Sequence, residues 1–536
     1  MGLPLIGEKM KETGKIVFVF IAIAVIFACQ VFGPVFSANF SEASYVANKA
    51  LPAVVLVYSV LEYSARVYIP WDTGAEEYIA NDYIAAMGSG FFINPNGYIV
   101  TNGHVVFCLE STNYKDDIYT KRDIITSATM VLIEYVQNQL GILFTQDDVQ
   151  YILNYNLQNG QVIDSHRSVY VILGEATGNI IEAHTGYAAS VVATSPFLGR
   201  DLAILKVELT NTPALLIVKN PDEVSVGDQV YALGYPGVAT FHPMLSDKTL
   251  LDPSFTEGVV SAKKLTSEDV SAIQHSADIT HGNSGGPLVN DEGKVVGVNN
   301  MGSINDLGLE VAGFNFAVAC NVLLDFLREN GVQNSIGSTT TEYDKGLAYY
   351  YAKMYGSAKA QFEAVTAVFP YHWKAQQLIQ ECQSKILSGE KAESAITLSV
   401  NPLQVKVNEG QIKVSGNIYH SSDMPIPVNI TWTNLQVTIE YTKPDGTKTT
   451  RAATVSTDGT FEDTLIPDKS GTWSVKASWD GDTDHLGAQS NQASFTVEEP
   501  AMSWMWIVLI VMMVSVVAAV SAIMLAKKRK KVPPAP

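Results

Sequence analysis

Gly282-Asn283-Ser284-Gly285-Gly286-Pro287 is the stretch on which both fold and chemistry turn. A serine hydroxyl is a weak nucleophile at neutral pH and needs a neighbouring base. Glycines on both sides permit unusual backbone angles and close approach of a second chain. The amide N–H groups of Gly282 and Ser284 are then candidates for an oxyanion hole, in which a donor is worth roughly 3–4 kcal/mol. Taken by itself, the stretch is also an ordinary Gly-rich turn. Two earlier segments weigh against that. Thr101-Asn102-Gly103-His104-Val105-Val106 places a histidine just after a strand-like run, and Arg200-Asp201-Leu202-Ala203-Ile204-Leu205 places an aspartate just before one. A lone histidine is usually structural and a lone aspartate usually caps a turn. Together the three form a set in which His104 takes the Ser284 proton and passes it to a leaving amine, while Asp201 orients the imidazole and stabilises its cation.

The chain order His104, Asp201, Ser284 matches the chymotrypsin arrangement. The surrounding segments are similar to those of the HtrA/Deg serine proteases. They are Gly88-Ser-Gly-Phe-Phe-Ile93, Gly97-Tyr-Ile-Val-Thr-Asn-Gly-His104, Asp201-Leu-Ala-Ile-Leu-Lys206, Ala232-Leu-Gly-Tyr-Pro236, Gly258-Val-Val-Ser261, Gly282–Pro287 and Gly313–Val318. The resemblance covers most of residues 45–330. It implies a double β-barrel with the site in the cleft between barrels, and endoproteolysis of unfolded or damaged proteins outside the cytoplasmic membrane. The chain also departs from the family. A helical segment and a sandwich stand where PDZ domains commonly follow, so PDZ-driven peptide capture is not implied. Trimer formation is not carried over either; a homo-oligomer stays open. Thr280-His281 replaces the family's Asn-Pro before Gly282. Asp278, Ile279 and Phe314 are candidate walls of the substrate pocket. Asp278 lies six residues before Ser284, where trypsin-type enzymes keep the acid that selects Lys or Arg. The family prefers small aliphatic residues, which Ile279 suits, and the aliphatic reading is preferred.

The fold class read from the sequence is mainly β. Residues 42–335 carry short strand-like runs separated by Gly, Asn and Asp, without a βαβ rhythm. Residues 109–166 interrupt the pattern with helices over Ile125–Leu140 and Asp147–Leu157, an insertion in the protease domain. Residues 338–390 turn helical. Gly346, Tyr349, Ala358, Phe362 and Pro370 have the spacing of one tetratricopeptide-like hairpin, which needs a further surface to cover it. A structural spacer is preferred over a peptide-binding module. Residues 396–498 read as an immunoglobulin-like sandwich, with strands over Gln411–Ile418, Leu435–Tyr441, Thr472–Trp479 and Gln492–Val497. The loop Asp480–Asp484 has alternate carboxylates, but a solvated turn is the preferred reading over a Ca²⁺ site.

Two apolar runs bracket this body. Ile16–Phe36 follows a Lys-bearing cytoplasmic segment, 1–15, and is an uncleaved anchor or a signal peptide cut after Ser37 or Ala38; its length favours the anchor. Residues 503–526 form a second span, and the basic tail 527–536 holds its end in the cytoplasm. Residues of about 38–500 are thus expected on the extracytoplasmic side of the cell membrane, with sequons at Asn39 and Asn429. The partners implied are protein or peptide substrates, and membrane lipid through the terminal helices. A formal net charge of −19 argues against nucleic acid. The sequence has no metal-ligand cluster, phosphate loop or dinucleotide fingerprint, so no cofactor and no metal are expected. Of four cysteines, Cys108 reads as a small buried residue, and a Cys108–Cys320 bond stays open. The functional expectation is a membrane-anchored serine endopeptidase. The competing one is a catalytically silent scaffold that binds partners through its sandwich and helical segment.

Overall fold

The computed structural model describes residues 41–107, 118–174, 186–196, 199–237, 252–304, 310–421, 431–499 and 504–529. The apolar run at 16–36, Cys108 and the sequon asparagines lie outside them. The chain divides into two compact units, the second beginning mainly at Gly389.

In the first unit, helix α1 (Glu42–Ala50) is capped by the Ser41 hydroxyl, which accepts the Ser44 N–H. β1 (Val54–Trp71) pairs along its whole length with β2 (Gly74–Phe92). β3 (Tyr98–Thr101), helices α2 (Ile118–Leu140) and α3 (Gln146–Asn159), then β4 (Gln161–Leu173), β5 (Tyr187–Thr194) and β6 (Ala203–Val207) follow. The six strands close into a barrel in the order β1-β2-β3-β6-β5-β4. β7 (Gln229–Gly234), β8 (Ser254–Leu265), β9 (Ser271–His275), β10 (Pro287–Val289), β11 (Val295–Ile304) and β12 (Glu310–Ala319) close a second, in the order β10-β11-β12-β9-β8-β7.

Side-chain alternation explains why the runs Val54–Val57, Phe91–Ile93 and Ala203–Leu205 are apolar without a break. Val55, Val57, Phe92, Ile99 and Leu205 fill the first barrel. Their sequence neighbours Val54, Leu56, Phe91, Val100 and Ile204 pack instead with Leu233, Val260, Leu288 and Val298 of the second. The two barrels therefore share a dry seam. Beyond the barrel, β1 runs on, and Leu61, Tyr63, Ala65, Val67 and Ile69 meet Ile124, Ala128, Leu132, Val136 and Ile152 of α2 and α3. Buried Asn156 of α3 accepts the Tyr68 N–H at 2.7 Å and donates to the Tyr68 carbonyl at 2.9 Å, as a strand partner would.

α4 (Cys320–Glu329) closes the second barrel, and α5 (Ser338–Tyr351), α6 (Tyr355–Val368) and α7 (Trp373–Ser388) follow. A Cβ on Gly346 would lie 2.5 Å from the Phe362 ring, so the small residue sets the approach of α5 to α6. The hairpin is not left bare: Ala375, Leu378 and Cys382 of α7 cover Leu347, Phe362 and Val365. Thr339 and Thr340 tie α5 to the Asn211 carbonyl and the Ala214 N–H. Cys320 is a buried free thiol, so the disulfide left open by the sequence is not formed there.

The second unit holds two facing sheets. β13 (Glu393–Asn401), β15 (Ile412–Ser421) and β18 (Thr460–Leu465) form one. β14 (Gln404–Lys406), β16 (Gln436–Thr442), β17 (Lys448–Thr454), β19 (Gly471–Gly481) and β21 (Ala493–Glu498) form the other, with β20 (Leu486–Gln489) paired to β19. Ile412, Val414, Ile439, Tyr441, Phe461, Trp473 and Phe495 fill the sandwich. In the Asp480–Asp484 loop, Asp482 Oδ1 accepts the N–H groups of Asp484 and His485 at 2.8 and 2.7 Å, so this oxygen braces a turn. α8 (Trp504–Arg529) contains Ile507–Lys527, long and apolar enough to cross a membrane.

His372, at the start of α7, is fully buried, and its Nδ1 accepts the Ala375 N–H at 3.2 Å. Burial pushes its pKa down to about 3. The unfolded chain binds the proton first, so this stability is complete above pH 6.5 and is lost as pH falls towards 3. Between pH 6.5 and 5 the loss is about 2 kcal/mol. Urea unfolding at pH 7 and pH 5 should show a smaller acid loss in His372→Asn than in the wild type. Equal losses would show that His372 does not carry the linkage.

Candidate active site

The site lies where the seam meets solvent. His104 opens a 3-10 turn, His104–Val106, just after β3, with Val105 and Val106 buried beneath it. Arg167 of β4 donates to the carbonyls of Val106 and Phe107 at 3.0 and 2.6 Å, fixing the end of that turn. Asp201, just before β6, is fully buried. Its Oδ2 is 2.7 Å from His104 Nδ1, and its Oδ1 accepts the His104 backbone N–H at 2.9 Å. Both carboxylate oxygens thus hold one histidine. With Oδ2 as acceptor, neutral His104 carries its proton on Nδ1 and presents a lone pair on Nε2. Asp201 sits at φ +47°, a left-handed conformation that aspartate tolerates better than most residues. The Asn102 amide supports it, donating to the Asp201 carbonyl at 2.8 Å. Arg200 forms a bidentate pair with Glu329 of α4, at 2.6 and 2.9 Å, and its guanidinium lowers the Glu329 pKa.

The loop around Ser284 is fixed one peptide unit at a time. A trans unit points its C=O and N–H in opposite directions, so pinning one aims the other. The His281 carbonyl accepts the Gly237 N–H at 2.7 Å. The Gly282 carbonyl accepts the Ser89 hydroxyl at 2.6 Å, and the Asn283 N–H of the same unit donates to Thr280 at 3.0 Å. The Asn283 carbonyl accepts the Gly286 N–H at 3.0 Å. The Ser284 carbonyl accepts the Ser89 N–H at 2.8 Å, and the Gly285 N–H donates to Asn299 at 2.8 Å. Among the described residues, the N–H groups of Gly282 and Ser284 have no acceptor. Two aimed, unspent donors are what an oxyanion hole requires. Gly285, at φ +86°, is obligatory, because a Cβ would lie 2.2 Å from the Ser89 carbonyl oxygen.

Ser284 Oγ donates to the Asn300 carbonyl at 2.7 Å. A hydroxyl has one proton, so in this state it is not offered to His104. Rotation of the Ser284 side chain must precede its transfer. A cleft of about 330 Å³ opens beside Asn300, lined also by Arg200, Lys264, Leu265 and Phe316. Of the expected pocket residues, Asp278 is exposed, with its carbonyl taking the Thr256 hydroxyl at 2.7 Å. Ile279 is buried in the shared core, and the Phe314 side chain lies outside those described. Sequence reasoning missed Asn300, which carries no motif. It also passed over Ser89, quoted only as part of a Gly-Ser-Gly run. His275, nine residues before Ser284, is no rival base: burial pushes its pKa down to about 4.

Residues 88–298, which include His104, Asp201 and Ser284, match the family described as "Trypsin-like peptidase domain". A "Probable periplasmic serine endoprotease DegP-like" of Chlamydia pneumoniae is 27% identical over 348 residues, 59% of this chain and 54% of the relative. "Serine endoprotease DegS" of Haemophilus influenzae is 30% identical over 219 residues, 38% of this chain and 56% of the relative. The chain thus spans about half the length of the curated relatives it matches. A solved structure described as "HtrA-type protease AlgW with decapeptide" is 19% identical, with a TM-score of 0.31 over 54% of this chain and 67% of that one. Two closed six-stranded barrels and the matched segment around the three residues give one answer: residues 88–298 form a trypsin-like peptidase domain, similar to those of the HtrA-type proteases.

Proposed function

We propose that the chain is a membrane-anchored serine endopeptidase that hydrolyses peptide bonds of unfolded or surface proteins outside the cytoplasmic membrane. The observation that carries this reading is the buried Asp201 carboxylate, bonded through both oxygens to His104. Ser284 turns from Asn300 towards His104, whose Nε2 takes the hydroxyl proton as Oγ attacks the scissile carbonyl carbon. Charge collects on the carbonyl oxygen, where the N–H groups of Gly282 and Ser284 meet it. His104 then gives its proton to the leaving amine, the C–N bond breaks, and an acyl-enzyme remains. Water repeats the sequence and releases the acid. Asp201 stays ionised and stabilises the imidazolium through the Nδ1 bond.

The exposed Asp278 is hydrated and screened, so it selects weakly for a cationic side chain. A small aliphatic residue before the cleaved bond is the preference proposed. α8 supports anchoring, and Lys527–Arg529 at its end support a cytoplasmic tail, with the barrels across the membrane. The alternative, a silent scaffold, draws on the Ser284 hydroxyl being bonded to Asn300.

A fluorophosphonate probe decides between them. The detergent-solubilised wild type should label and digest casein, and Ser284→Ala should do neither. Failure of the wild type to label with casein present would move the scaffold to the front. Asp201→Asn places an amide donor against Nδ1 and favours the wrong tautomer, so kcat should fall about 10³–10⁴-fold with KM within a few-fold. Steady-state kinetics on a peptide substrate give both numbers, and an unchanged kcat would remove Asp201 from the mechanism.

A further inference from the structure

Ser89 reaches across the seam from β2 of the first barrel to the nucleophile loop of the second. It is fully buried, and both its hydroxyl and its N–H bond into that loop. Its hydroxyl donates to the Gly282 carbonyl at 2.6 Å and accepts the Tyr235 N–H at 2.8 Å. Its own N–H donates to the Ser284 carbonyl at 2.8 Å, and its carbonyl accepts the Thr101 hydroxyl at 2.7 Å. β7 makes room for the hydroxyl: a Cβ on Gly234 would lie 2.6 Å from Ser89 Oγ.

The two carbonyls that Ser89 holds, those of Gly282 and Ser284, belong to the peptide units on either side of Asn283–Ser284. That central unit carries one of the two unspent N–H donors. Holding both flanking units limits the rotation open to the one between them. The Gly282 unit is the weaker point, since Gly282 sits at φ +103° and glycine turns easily between backbone states. A turn of the 282–283 unit would break the bonds of the Ser89 hydroxyl and of the Asn283 N–H, and would release the link between the two units, 281–282 and 283–284, that carry the donors.

We propose that Ser89 is a positioning residue: its hydroxyl locks the Gly282–Asn283 peptide unit and so keeps the two oxyanion donors aimed at one point. It touches no reacting atom. The proposal rests on the serine-endopeptidase reading above and assigns to the first barrel the setting of the second barrel's oxyanion donors. An unlocked loop still binds substrate in the ground state but loses stabilisation of the tetrahedral state, so kcat suffers and KM does not.

The test uses the full chain in detergent, with a peptide substrate and a peptide aldehyde that forms a tetrahedral adduct with Ser284. In Ser89→Ala, kcat should fall about 10–100-fold with KM within twofold, and aldehyde affinity should fall by a similar factor. A purely structural role would lower the melting temperature and leave kcat per active site unchanged, with sites counted by the fluorophosphonate. Values of kcat and aldehyde affinity within twofold of wild type in the folded variant would overturn the proposal. If Ser89→Ala does not fold, Ser89→Cys, close in size and a weak donor, carries the test. A several-fold loss of kcat at constant KM supports the lock, and wild-type kcat overturns it. A wild type that fails to label or cleave would defeat the endopeptidase reading itself, an outcome distinct from both.

Discussion

β3, β6 and the barrel ends of β1 (Val54–Val57) and β2 (Gly88–Phe92) bury both of their faces, and the site depends on that constraint. A strand with one wet face can slide or twist against its neighbour at modest cost. A strand packed on both sides cannot shift by one residue without exchanging its two apolar sets. Ser89 on β2, Thr101 and His104 at the end of β3, and Asp201 at the start of β6 therefore inherit fixed positions from a core shared by the barrels. The large apolar side chains Leu56, Phe91 and Ile204 fill the seam, and the Ser89 hydroxyl at its edge finds its partners, the Gly282 carbonyl and the Tyr235 N–H, across it. Catalytic geometry tolerates errors of only about half an ångström, which loops anchored on one sheet alone seldom hold.

The same seam accounts for where strain is tolerated. Asp201 combines a left-handed backbone with complete burial of a carboxylate, each costly by itself. Burial is offset by bonds to the His104 ring and backbone, and the backbone conformation by the Asn102 amide on the Asp201 carbonyl. Ser284 is different: its hydroxyl rests on Asn300, a carbonyl of β11. The groups that must not move are over-determined, and the group that must move is held by one bond.

The motifs of His104, Asp201 and Ser284 and the glycines around Ser284 stood out because acyl transfer needs particular residue types in a particular order. Two barrels were legible because unbroken apolar runs without a βαβ rhythm leave few architectures. Ser89 and Asn300 were not. A serine inside a strand says nothing about which carbonyl it will meet 193 residues later, and Asn300 acts through its backbone, which every residue has. The length of β1 and β2 was also missed. The stretch 61–84 mixes charged and aromatic residues with small ones, and only its odd positions on β1 are covered, by helices some 60 residues further on. The substrate pocket was the least readable part: adjacent residues Asp278 and Ile279 proved one exposed and one buried, and side-chain direction is not written in residue type.

That extension explains how a large insertion can stand close to His104. The insertion begins within a few residues of His104 and returns through β4. Had its helices packed on the barrel, their core would have competed with the seam for the same strands. Instead β1 and β2 project past the barrel, and α2 and α3 build a separate core on the projection. The two cores meet at one face of β1, where Val57 belongs to the barrel and Leu61 to the helices. Arg167 stands at this junction. From β4, the strand by which the insertion re-enters the barrel, it clamps the carbonyls that end the His104 turn. The insertion builds its core apart from the seam and meets the end of the His104 turn through Arg167 and through Phe107, which packs among the helices.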